Sequence, residues 1–146
     1  MESNNSLRAR EILLIEDSAS DVKMVLMALK MNGRAKNVST SPDGEHAMAY
    51  LAGLADECKP DLIVLDLNLP KKDGWQVLAE CKADARLKCI PIVVFSTSES
   101  QDDVDRCYEL GASSFVTKPF DLDAFQNAVQ MIETFWLGLS SPWVQN

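Results

Sequence analysis

Residues 61–70 read Asp-Leu-Ile-Val-Leu-Asp-Leu-Asn-Leu-Pro. Leu62–Leu65 is an unbroken apolar run, with Asp66 closing it. An alternating pattern would mark a strand with one wet face. An unbroken run marks a strand buried on both faces, as in a parallel sheet. The same shape recurs on either side. Residues 11–16 read Glu-Ile-Leu-Leu-Ile-Glu, and residues 90–96 read Ile-Pro-Ile-Val-Val-Phe-Ser. Ala35–Ser41 and Ser113–Thr117 are weaker strand candidates.

Helical spacing fills the intervals. Val22, Val25, Leu26 and Leu29 follow the i, i+3, i+4, i+7 rule, as do Ala47, Tyr50, Leu51 and Leu54. Val104, Cys107 and Tyr108 continue it, with Gly111 as a helix stop. Gly74–Ala83 is a less periodic helix. Leu122, Phe125, Val129, Ile132 and Trp136 line the last one, beside a second stripe of Ala124, Ala128, Met131 and Phe135. Gly33 and Gly44 read as turn residues. Parallel strands need crossovers, and right-handed helical crossovers place helices on both faces of one sheet. The expected fold is therefore α/β: five β-α units, doubly wound, with a five-stranded parallel sheet in the order 2-1-3-4-5. Ligands of such sheets bind at the carboxyl ends of the strands, near the point where the winding reverses.

At those ends the sequence places chemistry. Strand 1 runs into Glu16-Asp17 and strand 3 into Asp66, and the expected order makes these strands neighbours. Three carboxylates in one crevice repel, so their pKa values rise or a cation enters. Hard oxygen donors with room for water suit Mg²⁺. Strand 4 ends in Ser96, followed by Thr97 and Ser98, and strand 5 ends in Thr117-Lys118-Pro119. A hydroxyl and an ammonium thus flank the acidic crevice. A carboxylate nucleophile, a metal and two groups for phosphoryl oxygens suit phosphoryl transfer. Pro119 disfavours helix at Lys118 and fixes the chain there; a cis bond would make that turn tighter still.

Composition narrows the classes. The 146 residues, 47% apolar and 25% charged, fit one ordinary globular domain. Acidic residues outnumber basic ones by 22 to 14, a formal charge of −8, which argues against a duplex-binding surface. Cys58, Cys81, Cys89 and Cys107 form no CxxC pair and read as buried free thiols of a reducing cytosol. The polar start, Met1-Glu2-Ser3-Asn4-Asn5-Ser6, has no apolar core of a secretory signal. No stretch reaches the roughly 20 apolar residues that span a bilayer. His46 reads as a solvent-facing helix residue, and Trp75 as a neighbour of the loop after strand 3.

The segments Leu14-Ile15-Glu16-Asp17, Leu65-Asp66 through Asp73-Gly74, Val94-Phe95-Ser96-Thr97-Ser98 and Val116-Thr117-Lys118-Pro119-Phe120 together resemble the receiver domain of two-component response regulators. The likeness runs from about residue 10 to 137. The Leu-Pro-Lys-Lys-Asp-Gly stretch and the Phe-Trp-Leu ending are most similar to the small response regulators of cyanobacterial and bacterial phytochromes. The resemblance implies a flavodoxin-like sandwich with Asp66 as phosphoacceptor. It implies Mg²⁺ held by Glu16, Asp17, Asp66 and the backbone carbonyl of Asn68. Lys118 and Ser96 would bind phosphoryl oxygens. Ser96 and Phe115 would act as switch residues, Phe115 by packing alone since it has no hydroxyl. The implied partner is a sensor histidine kinase of the phytochrome type.

The expected organisation is a tail over residues 1–9, a receiver domain over 10–137, a tail over 138–146 and no output domain. Output would then pass through a protein contact on the helix 4–strand 5–helix 5 surface. A cytoplasmic homodimer built on the last strand and helix, extended by Trp136 and Trp143, is the expected assembly. Such a protein is a signalling phosphoacceptor rather than a metabolic enzyme, with intrinsic phosphotransfer and autodephosphorylation chemistry. Asn68 and Ser98 stand where this family tunes phosphoryl lifetime.

Three other classes fit less well. A haloacid dehalogenase-like phosphatase carries its acceptor after the first strand and a general acid two residues on, where this chain has Asn68. A flavodoxin-like cofactor binder would want a glycine- or hydroxyl-rich phosphate loop after strand 1, where Glu16-Asp17 stands. A degenerate docking receiver would lack site residues, and here the set is complete.

Overall fold

A computed structural model describes residues 8–138. Its strands are β1 (Arg10–Ile15), β2 (Lys36–Ser41), β3 (Leu62–Leu65), β4 (Ile92–Ser96) and β5 (Ser114–Thr117). Its helices are α1 (Ala19–Met31), α2 (Gly44–Gly53), α3 (Gly74–Ala83), α4 (Gln101–Glu109) and α5 (Leu122–Glu133). A 3₁₀ turn covers Asp56–Cys58, and a wider π-type turn over Thr134–Gly138 prolongs α5. All five strands are parallel, in the order β2-β1-β3-β4-β5. The expected flavodoxin-like topology is observed.

Strand periodicity divides the core into two layers. Leu13, Ile15, Ile63, Leu65 and Val94 face α2, α3 and α4, packing with Ala47, Leu51, Val77, Leu78 and Cys107. Ile12, Leu14, Leu62, Val64, Val93 and Phe95 face α1 and α5, packing with Val25, Ala28, Leu29, Phe125, Val129, Ile132 and Leu137. Adjacent strand residues thus serve opposite layers, which is why the sequence shows unbroken apolar runs. The helices start on side-chain caps: Ser18, Asp43, Asp73, Ser100 and Asp121 each accept from a backbone N–H of the first turn.

One polar tie crosses the α1–α5 layer. Glu133, with no exposed surface, accepts from Asn32 Nδ2 at 2.8 Å, and its other oxygen lies 3.2 Å from Lys36 Nζ. The Lys36 ammonium aims its hydrogen bonds at the carbonyls of Leu29 and Arg34, so its contact with Glu133 is one of charge.

The structure corrects several expectations. Leu122 is half exposed, because it opens α5 at the sheet's rim. Of the second α5 stripe, Met131 and Phe135 face solvent at 70% and 62% exposure, while Ala128 packs against the core. Tyr108 is also half exposed, leaving Cys107 as the buried residue of α4. Cys81 and Cys107 are buried, but Cys58 and Cys89 lie in surface turns. Gly44 opens α2 rather than forming a turn; a Cβ there would run into the Lys72 carbonyl. The Lys118–Pro119 bond is trans. Trp143 and the tail from residue 139 lie outside the described residues.

Candidate functional site

The carboxyl ends of β1, β3 and β5 deliver one acidic or basic residue each. Glu16 N–H donates to the Ser41 carbonyl at 2.9 Å, Asp66 N–H to the Ile15 carbonyl at 3.0 Å, and Lys118 N–H to the Ser96 carbonyl at 2.7 Å. Each residue stands just past its strand, its amide held by the neighbouring strand. Sheet hydrogen bonding therefore sets the positions, and the apolar runs behind them hold the sheet in register.

Glu16, Asp17 and Asp66 each offer a carboxylate oxygen, and these atoms lie within 4.8 Å of one another. Glu16 and Asp66 are buried, while Asp17 is exposed. Lys118, 7% exposed, places its Nζ 2.7 Å from Glu16 Oε1, 2.8 Å from Asp21 Oδ2 and 3.5 Å from Asp66 Oδ2. The second oxygen of Glu16 accepts from the Ser18 amide at 3.1 Å. Asp66 Oδ1 accepts from the Leu67 amide at 2.8 Å, which leaves Oδ2 turned toward Lys118.

The electrostatics follow from burial and crowding. Burial pushes the Glu16 carboxyl up to about 7, opposed by the Lys118 hydrogen bond and reinforced by the Asp66 charge. Burial alone would lower the Lys118 ammonium, but hydrogen bonds to Asp21 and Glu16 and the Asp66 charge outweigh it and hold Lys118 protonated. These carboxylates share too few positive partners. Their hard oxygen donors, one of them solvent-facing, fit a small divalent cation that keeps part of its water. Glu16, Asp17 and Asp66 would hold it, and Asn68 stands in the loop that follows, between the buried Leu67 and Leu69.

The loop after Asp66 is closely held. Gly74 N–H donates to the Leu67 carbonyl at 2.8 Å, and a Cβ on Gly74 would collide with the Asp66 backbone. Lys71 sits in the left-handed region at φ 66°, a conformation usually left to glycine, Asn or Asp.

Ser96, fully buried, ends β4, and its Oγ accepts from the Ser98 amide at 3.2 Å. Ser98 Oγ in turn donates to Asp103 of α4 at 2.7 Å. Phe115 is half-buried in β5, and its N–H donates to the Tyr108 hydroxyl of α4 at 3.0 Å. Trp75 opens α3 beside the loop after β3, with the Arg106 guanidinium 4.1 Å above its ring. His46 is exposed and its Nδ1 lies 2.8 Å from Ser41 Oγ. Glu16, Asp17, Asp66, Ser96 and Lys118 thus gather at the carboxyl edge of the sheet, with Asn68 on a loop leaving it, while Phe115 lies inside β5, paired with Val94, short of that edge.

Sequence reading missed Asp21 and Tyr108. Asp21 is the third residue of α1, and only its spacing from the Ser18 cap marks it. Tyr108 shares the helical spacing of a core residue, which hid its polar role.

Known proteins agree with this architecture. The model of the response regulator receiver domain matches residues 12–130. Response regulator Rcp1 of Synechocystis is 44% identical over 92% of this chain and 94% of its own length. The crystal structure of the phosphorylated cyanobacterial phytochrome response regulator RcpA superposes with a TM-score of 0.85, at 42% identity over 92% of this chain and 98% of that one. The Mn²⁺-bound form of Rcp1 gives 0.81 at 45% identity, over 88% and 94%. With its fold, its edge of carboxylates and its matching relatives in agreement, the chain belongs to the response regulator receiver family.

Proposed function

We propose that the chain is a phosphoryl-operated cytoplasmic switch whose acceptor is Asp66. The observation that carries this reading is the convergence of Asp66, Glu16, Asp17 and Lys118 at the carboxyl end of the sheet. Asp66 Oδ2 attacks the phosphorus of a phosphohistidine on a sensor histidine kinase. The P–N bond breaks, the imidazole leaves, and an acyl phosphate forms on Asp66. Mg²⁺, when bound, supplies charge neutralisation at the transferring phosphoryl oxygens. Lys118 and Ser96 hydrogen-bond two of those oxygens. Later, water attacks the phosphorus, the bond to Asp66 breaks and inorganic phosphate leaves. This self-limiting chemistry makes the chain a signal carrier rather than a metabolic enzyme.

Ser96 and Phe115 form the switch. Drawing the Ser96 hydroxyl toward phosphate releases the Ser98 amide, and Ser98 is tied to α4 through Asp103. Phe115 then moves with β5, reshaping the α4–β5–α5 surface for a protein partner. Likeness to phytochrome response regulators supports a phytochrome-type kinase as donor. The exposed Met131 and Phe135 support α5 as a homodimer surface. Residues 10–137 form the receiver unit. The acidic balance disfavours nucleic acid as a partner, and among the described residues no helix is long and apolar enough to cross a membrane.

The test is incubation with Mg²⁺ and acetyl phosphate, followed by intact-mass measurement beside Asp66→Asn. The expected result is a gain of about 80 Da, one phosphoryl group, absent with EDTA and absent in the variant. An adduct that persists in Asp66→Asn would place the chemistry elsewhere.

A further inference from the structure

The Lys118 ammonium is held chiefly by residues other than the proposed acceptor. Its short contacts go to Glu16 at 2.7 Å and Asp21 at 2.8 Å, while Asp66 stands 3.5 Å away. An ammonium has three donors, and two are spent on the α1 side of the crevice. Asp21 is placed there by the start of α1, where its own amide donates to Ser18 Oγ at 3.2 Å. Its carboxylate is therefore free to face Lys118 without disturbing the cap. Asp21 also stands outside the carboxylate group suited to a cation, which comprises Glu16, Asp17 and Asp66. A cation that engages Glu16 leaves Asp21 as the remaining short partner of Lys118.

We propose that Asp21 is a positioning residue that docks Lys118 on the α1 side of the crevice and competes with the phosphoryl group on Asp66 for the ammonium. The inference rests on the phosphoacceptor reading of Asp66. It adds that Lys118 must leave a charge-assisted hydrogen bond before it can stabilise the incoming phosphoryl oxygens. Asp21 thereby favours the resting state and slows phosphoryl capture, and it sets part of the gap between the two states of the switch.

A simpler role would be bulk negative charge that repels any phosphodonor. The two differ in their dependence on Lys118. Phosphorylation by acetyl phosphate with Mg²⁺ is measured for wild type, Asp21→Asn, Lys118→Met and the double variant. Docking predicts that Asp21→Asn speeds the reaction about tenfold or more, the scale of one hydrogen bond to a charged group, and leaves the rate unchanged in the Lys118→Met background. Equal acceleration in both backgrounds, or none where Lys118 is present, overturns it. A second readout needs no phosphorylation. In the metal-free protein, lysine-selective ¹H–¹⁵N spectra should show the Lys118 ammonium slowed in exchange, and Asp21→Asn should shift and broaden that signal. An unchanged signal overturns the docking contact itself. A wild-type protein that takes no phosphoryl group removes the acceptor reading and the competition with it, whatever the ammonium signal does.

Discussion

The two edges of this sheet sandwich are fastened by different physics. On the α1–α5 side, Val25, Ala28, Leu29, Phe125, Val129, Ile132 and Leu137 are buried against the sheet. Phe95 and Phe125 meet edge to face with centroids 5.1 Å apart, and the Lys36–Glu133 pair closes the far end. On the α4–β5 side, α4 buries Cys107 and β5 buries nothing fully. Around α4, Tyr108 holds the Phe115 amide of β5, Ser98 holds Asp103 and Arg106 stacks on Trp75 of α3, beside the partly buried Leu110 and Phe115. Apolar burial is lost in proportion to area when layers separate. Half-exposed polar contacts exchange with water for about 1 kcal/mol each. On the proposed reading, a signal beginning at Ser96 and Lys118 would travel toward α4, where rearrangement costs least.

The strongest test of the contrast removes the cation from the anchored side. Lys36→Met leaves Glu133 buried and uncompensated, so stability should fall by roughly 3–5 kcal/mol in urea unfolding. A loss below about 1 kcal/mol would show that the ion pair does not anchor this layer.

The crevice between the edges gives the next effect. Glu16 titrates near 7 because of burial, then the Asp66 charge, against the Lys118 hydrogen bond and the Ser18 amide. Its folded pKa lies above the unfolded one. In the metal-free protein its contribution is therefore complete below the unfolded value and is lost as pH rises through about 7. Cation binding has the opposite sign, because the ligand must be deprotonated. Mg²⁺ affinity by calorimetry should rise about tenfold between roughly pH 6 and 8 and level off above. A flat profile would mean that Glu16 is not a ligand.

The smallest effect sharpens the mobile side. Tyr108→Phe should lower stability by no more than about 1 kcal/mol. Hydrogen exchange should quicken in α4 and β5 and stay unchanged in α1 and α5. Equal loosening of α5 would break the contrast.

The same contrast explains what the sequence discloses. β1, β3 and β4 are buried on both faces, so their apolar runs identify them and place Glu16, Asp66 and Ser96 at their ends. β2 and β5 are edge strands with polar or half-buried residues, and only the alternation with helices marks them. Lys118 is found through its place after β5 and the Lys-Pro pair. Asp21 is invisible because its role depends on a side-chain direction across the crevice. Lys36 and Glu133 lie far apart in the chain, and nothing local in either segment signals the pair. Cys58 and Cys89 mislead because cysteine usually prefers the interior.

The Arg106–Trp75 stack has a practical consequence. A guanidinium 4.1 Å from an indole ring perturbs its emission, and the two residues belong to different helices, α4 and α3. The molecule thus carries a built-in optical gauge of the distance between them. Trp136 and Trp143 contribute a background that a Trp75→Phe control subtracts. Rapid-mixing fluorescence on an unlabelled chain can then test whether α4 departs from α3 on phosphorylation, as the proposed switch requires, with no dye attached to that surface.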